Sequence, residues 1–302
     1  MKDARVDVAS APMAVSRSSA RLLDFVALTK PRLNVLVVAT SAAGYCLGAS
    51  DAIELAPLAS AVAGTALVAG GAAVLNQVYE CTTDALMRRT RLRPLPDGRI
   101  APADATVFGL ALSGGGLALL ASRANLLAAL LALATLVIYL LVYTPMKRRS
   151  SFATLVGAVP GALPPLIGWT AAHGSLSTGG WSLLAIVFLW QIPHFMAIAW
   201  MYRDDYRNAG FPMLPVIEPD GRRTGRQAVL YAAALLPVSL VPALIGMSGL
   251  VYAATALALG CVLLWIAVQF ASARDDASAR RLFFASIIYL PAIWTAMIVN
   301  RL

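Results

Sequence analysis

Charge is scarce in this sequence. Of its 302 residues, 13% are Asp, Glu, Lys or Arg, about half the share of an ordinary soluble domain. That deficit excludes a soluble globular protein, and the net charge of +9 is not a nucleic-acid signal, because the basic residues fall in alternate loops. Cysteine is rare as well. Cys46, Cys81 and Cys261 form no CxxC pair, so neither a zinc site nor a disulfide framework is indicated, and each reads as a small packing residue. Histidine occurs only at His173 and His194. Strand-like alternation is missing, which argues against a barrel. The first twenty residues lack the apolar core of a signal peptide. Residues 1–22 are expected to be a disordered cytoplasmic tail, leaving 23–302 as one membrane-embedded domain.

What is present is apolar length. Hydrophobic residues make up 59% of the chain and recur in long runs from Leu33 to Val299. A span needs about 20 such residues, and the runs predict an all-α polytopic membrane protein with nine transmembrane helices. They are placed near 32–47, 57–81, 103–121, 126–143, 152–172, 181–202, 226–245, 250–271 and 282–299. The fifth contains GAVPGALPPLIGW. Three prolines there predict a kinked or interrupted span, tolerable only where protein or a cavity takes up the freed backbone groups. Nine spans put all but Arg123 and Arg301 of the 24 basic residues on one side. The positive-inside rule makes that side cytoplasmic, with the N-terminus inside and the C-terminus outside.

One polar stretch breaks the apolar pattern: NQVYECTTDALMRRTRLRPLPDGR, Asn76 to Arg99. Asn76, Glu80 and Asp84 recur every four residues, so a helix presents them on one face. Ionisable groups at the edge of a span are costly and point to function. An amide and two carboxylates suit Mg²⁺, which takes one or two carboxylates plus substrate phosphate oxygens. Arg88, Arg89, Arg91 and Arg93 follow, and guanidinium forks suit phosphate. The residues themselves thus predict a Mg²⁺–diphosphate site at a membrane surface. For the arginines alone, a charged loop marking the cytoplasmic side is the stronger alternative. Lys147 and Arg148, after the fourth span, can reach phosphate or merely anchor the loop; Lys30 and Arg32 share that ambiguity. Asp204 and Asp205 end the sixth span and offer a second cation position. Helix two ends in acids, arginines and RPLP; helix six ends in acids, an arginine and PMLP. This coarse echo would put both acidic ends on one rim. His194, in WQIPHF, either bonds a neighbouring helix or contacts a polar ligand such as a porphyrin.

With those motifs in view, the chain resembles the UbiA-type intramembrane prenyltransferases, and most closely their protohaem-farnesylating branch. TKPRLN, the Asn76–Arg99 segment, YTPMKRRS, GAVPGALPPLIGW and WQIPHFMAIAWMYRDDYRNAGFPMLP carry the resemblance. It implies a helical bundle around a central cavity with two facing acidic motifs. Asn76, Glu80 and Asp84 match the first, with glutamate where aspartate is usual; Asp204 and Asp205 correspond to the second. The implied reaction joins farnesyl diphosphate to a vinyl group of haem B, and water completes haem O. It implies Asn76, Asp84, Arg88 and Lys147 in catalysis. Arg88, Arg91, Arg93, Lys147 and Arg148 would bind the diphosphate. Asn76, Glu80, Asp84, Asp204 and Asp205 would hold Mg²⁺; His194, Trp190 and the proline-rich fifth span are our assignment for the porphyrin side. An inner-membrane location and a downstream haem-modifying membrane enzyme are implied too. Rival readings are a UbiA-type enzyme for an aromatic acid, quinone precursor or chlorophyllide, and an anion transporter.

Overall fold

A computed structural model describes residues 17–50 and 52–302. Most of the expected tail, residues 1–16, lies outside the described residues, and its last six residues open the first helix. The elements are α1 (Arg17–Leu28), α2 (Pro31–Gly48), α3 (Leu55–Tyr79), α4 (Cys81–Asp84), α5 (Pro102–Arg123) and α6 (Leu126–Val137). A wide turn, Ile138–Tyr143, carries α6 into α7 (Thr144–Met146). Then come α8 (Ala153–His173), α9 (Thr178–Met201), α10 (Arg203–Asn208), α11 (Leu214–Ile217), α12 (Arg222–Leu244), α13 (Leu250–Ala273) and α14 (Asp276–Val299). No strand occurs among the described residues.

All nine expected helices are there. Eight are long and apolar enough to cross a membrane, with Leu126–Met146 counted as one. The ninth, α2, is 18 residues long and carries Arg32 and Asn34 in its first turn, which dilutes its apolar run. Local signals set the ends. Pro31 and Pro102 open α2 and α5, where a missing N–H costs nothing. Asn125 and Asp275 cap α6 and α14 by accepting the N–H groups of Ala128 and Ser278. Gly174, at φ 77°, closes α8 in the left-handed region.

Contacts at the helix ends sort the bundle into two rims. At one end Arg21 meets Asp104 at 2.6 Å, Arg99 pairs with Asp24, and Arg203 meets Asp276 at 2.6 Å. At the other end Asn125 donates to the Thr170 carbonyl at 2.6 Å, and Arg301 donates to the Cys46 carbonyl at 2.7 Å. The larger core fills the space between α8, α9, α12, α13 and α14; a smaller one joins α3, α5, α6 and α8.

The proline-rich helix α8, expected to be kinked or interrupted, is continuous from Ala153 to His173. Its support comes from α2. A Cβ on Gly168 would stand 1.8 Å from the Ser41 carbonyl oxygen, and one on Gly44 would stand 2.0 Å from that of Pro165. The two backbones therefore touch, as small residues permit between membrane helices. From the other side, Gln191 of α9 donates to the Ala158 carbonyl at 2.7 Å. Because backbone cannot yield as a side chain can, Gly168→Ala is expected to cost about 1–3 kcal/mol. Thermal unfolding in detergent, followed by tryptophan fluorescence, reads this as a lower Tm; an unchanged Tm would refute the contact.

Candidate diphosphate site

Helical spacing continues past the end of α3. Glu80 donates its N–H to the Asn76 carbonyl at 2.9 Å, and Asp84 donates to that of Glu80 at 2.8 Å. Asn76, Glu80 and Asp84 thus stack a turn apart, and all are buried: 2%, 6% and 1% exposed. Buried carboxylates need partners. Lys147 donates to both Glu80 oxygens, at 2.8 and 3.0 Å. Arg93 donates from Nη1 to Asp84 Oδ2 at 2.7 Å. Asn76 Nδ2 donates to Thr144 Oγ1 at 3.1 Å, and Thr144 Oγ1 donates in turn to the Tyr139 carbonyl at 2.7 Å.

The segment that delivers Lys147 and Thr144 is the wide turn after α6, in which the Thr144 N–H reaches five residues back to the Tyr139 carbonyl. Such turns are uncommon and cluster at functional sites. This one stacks the Tyr139 and Tyr143 rings at 5.4 Å and sets Lys147 5.4 Å from the Tyr143 ring. Burial opposes the charge on Lys147, but Tyr143 and the Glu80 carboxylate outweigh it and raise its pKa.

Two loops close over these pairs. Met87 packs with Tyr206, Ala209, Phe211 and Met213, joining the loop after α4 to the loop after α10. Arg89 lies 4.9 Å from the Tyr202 ring and 5.6 Å from that of Tyr206, and donates to the Tyr206 hydroxyl at 3.4 Å. The Phe211 ring stands 5.3 Å from Lys147 Nζ. The loops following the two acidic helix ends therefore meet on one rim, but their carboxylates do not come together. No group of three or more His, Cys, Asp or Glu close enough to share an ion exists among the described residues. Asp204 is 73% exposed and paired with Arg207 at 2.6 Å, so the expected facing cation position is not assembled there. Asp205 is half-buried and has no ion pair among the described residues.

Of the cations expected at the diphosphate, Lys147 and Arg93 sit on the carboxylates. Arg88, Arg91 and Arg148 are exposed and without ion pairs among the described residues. Lys30, in the left-handed region at φ 50° between α1 and α2, joins the site. Burial, with Arg93 and Lys147 nearby, depresses its pKa to about 7, while Asp84 and Glu80 offset part of the shift. His194 lies elsewhere. Its Nδ1 is 2.8 Å from Ser286 Oγ, and Trp190 Nε1 donates to the Ser286 carbonyl at 2.7 Å. Its ring stacks between Trp190, at 5.3 Å, and Phe283, at 5.0 Å. This set ties α9 to α14.

The donors suit a hard cation. They are oxygens, buried and closely spaced, and each carboxylate is neutralised by a side chain from another segment that a divalent ion could displace. The sequence profile described as the UbiA prenyltransferase family matches residues 37–288. The chain belongs to the UbiA prenyltransferase family. It is 48% identical over 287 residues to a protoheme IX farnesyltransferase of Solibacter usitatus (strain Ellin6076), covering 92% of this chain and 98% of that one. Its fold matches a digeranylgeranylglyceryl phosphate synthase with TM-score 0.79 at 16% identity, over 93% of this chain and 98% of that one. A UbiA homolog from Archaeoglobus fulgidus, solved bound to GPP and Mg²⁺, matches with TM-score 0.68 at 15% identity, over 91% and 99%. At these identities the structural likeness is one of fold.

In this UbiA-family chain the sequence did not single out Thr144 or the Tyr139–Tyr143 pair. The signal was there, in two tyrosines and a threonine at the end of an otherwise aliphatic run. Arg89 was left out of the expected diphosphate set, because only the aromatic loop from another helix distinguishes it.

Two outcomes follow from the paired charges. Lys147→Met leaves the Glu80 carboxylate buried and alone and is expected to cost about 3 kcal/mol, whereas Lys147→Met with Glu80→Gln should recover much of the loss. Equal Tm losses in the single and double variants would break the pairing argument. Lys30 binds its proton less tightly in the native state, where it titrates at about 7, than in the unfolded chain, where it has the ordinary lysine value of 10.5. Stability must therefore rise with pH across that window. Lys30→Met is expected to flatten that rise; parallel Tm–pH curves for the two proteins would contradict a depressed Lys30.

Proposed function

We propose that this prenyltransferase moves a farnesyl group from farnesyl diphosphate to a vinyl group of haem B, giving haem O and diphosphate. The observation that carries the donor half is the buried pair Glu80 and Asp84, each held by a cation from another segment. The acceptor rests on the near full-length identity with a protoheme IX farnesyltransferase.

In this reading Asn76, Glu80 and Asp84 hold Mg²⁺, which when bound supplies charge stabilisation for the departing diphosphate. Lys147 and Arg93 then exchange their carboxylates for diphosphate oxygens, where preorganised donors lower the barrier. Arg88, Arg91 and Arg148, exposed at the rim, draw the anion in. The C1–O bond of farnesyl breaks and diphosphate takes the electron pair. C1 then bonds the terminal vinyl carbon, and water adds at the carbon next to the porphyrin and gives up a proton. The closed loops with Phe211 and Tyr206 keep other water away. His194, oriented by Ser286 and Trp190, is assigned to the porphyrin side.

The protein is placed in the cell inner membrane with its site-bearing, arginine-rich rim cytoplasmic, the N-terminus inside and the C-terminus outside. Support comes from the basic bias of that rim. The product would pass to a haem-modifying membrane enzyme.

The test is haem O formation by purified protein in lipid with haem B, farnesyl diphosphate and Mg²⁺, read by chromatography and mass spectrometry. Asp84→Asn should lower the rate about 10²-fold or more, and chelator should abolish it. A folded, prenyl-transferring preparation that makes no haem O would overturn the acceptor. Undiminished product from Asp84→Asn would overturn the site.

A further inference from the structure

A cavity opens at the site-bearing end of the bundle, between the start of α8, the middle of α9, α11 and the first turns of α12. Its volume is about 300 Å³. Its floor is apolar, with Ile192 fully buried and Met196 4% exposed. Its rim includes Phe152 and Ile217, exposed by 63% and 53%. Exposed apolar side chains at the end of a membrane helix bundle suit the headgroup and acyl boundary of a bilayer. Arg223 and Arg226 stand at the mouth.

The charge balance at that mouth is specific. Arg222 pairs with Asp220 at 3.3 Å, and Arg223 lies 3.7 Å from Glu218. Arg226 is exposed and has no carboxylate partner among the described residues. One positive charge is thus left over, at the end of an apolar trench that opens to the bilayer. A phosphodiester with an acyl chain supplies one negative charge and an aliphatic tail. Basic pockets between membrane helices take anionic lipid headgroups for this reason. A diphosphate finds more cations at Lys147, Arg93 and Lys30, and a zwitterionic lipid brings its own cation to the mouth.

We propose that this groove binds an anionic phospholipid, its phosphodiester at Arg226 and Arg223 and one acyl chain over Ile192 and Met196. The site is separate from the diphosphate site and does not depend on which acceptor is prenylated. It is nevertheless close to it: Leu214 lines the groove and follows Met213, which packs with Phe211 beside Lys147.

The experiment uses delipidated full chain in detergent, titrated with phosphatidylglycerol or phosphatidylcholine of identical chains and followed by native mass spectrometry. Wild type should retain phosphatidylglycerol in preference to phosphatidylcholine. Arg226→Gln should weaken phosphatidylglycerol binding about fivefold, the worth of one interfacial cation, with phosphatidylcholine unchanged and Arg226→Lys restoring most of it. Size-exclusion profile and Tm check that the variants are folded. Equal retention of the two lipids, or no effect of Arg226→Gln, overturns the proposal. So does displacement of the Arg226-dependent adduct by equimolar inorganic phosphate or haem, which would give the groove to a free anion or to the porphyrin propionates.

Discussion

Two carboxylates buried at the end of a membrane helix set the terms for this protein. Glu80 and Asp84 are almost wholly excluded from solvent, and an ionised carboxylate in such surroundings is untenable without a matching charge. The matches come from elsewhere in the chain. Lys147 arrives from the end of the fourth long helix, and Arg93 doubles back from the loop after α4. Those two pairs therefore bind the helix ends together as well as assembling the candidate site.

The same constraint explains the wide turn after α6. Asn76 donates to Thr144, and Lys147 donates to Glu80, three residues further on. A helix continued without the extra residue in its turn would rotate these groups away from α3. The backbone irregularity is placed where the charges require it. Opposite, α2 and α8 meet through Gly44 and Gly168 with backbone against backbone, which anchors α2 and with it Lys30 at its start.

The loops that close the site use a different chemistry. Arg89 lies over Tyr202 and Tyr206, and Phe211 stands beside Lys147. Aromatic faces attract cations without neutralising them, so Arg89, unlike Lys147, keeps its full charge beside the site. By contrast Asp204 holds Arg207 at the surface, and its charge is spent outside.

The sequence alone determined the helices and the character of the site. Apolar runs of span length, punctuated by prolines, glycines and basic loops, admit little besides a helical membrane bundle, because each span must satisfy its own backbone. Asn76, Glu80 and Asp84 were legible because the spacing of four is a property of one helix. Tertiary structure decided which cation meets which carboxylate, that Arg89 differs from Arg88 and Arg91, that Asp204 turns to Arg207, and that His194 locks onto Ser286. These depend on the approach of segments far apart in the chain, and no periodicity along one segment records the distance to another. The unbroken course of α8 belongs to the same class, since prolines announce a lost hydrogen bond while only the neighbouring helix decides whether the backbone holds.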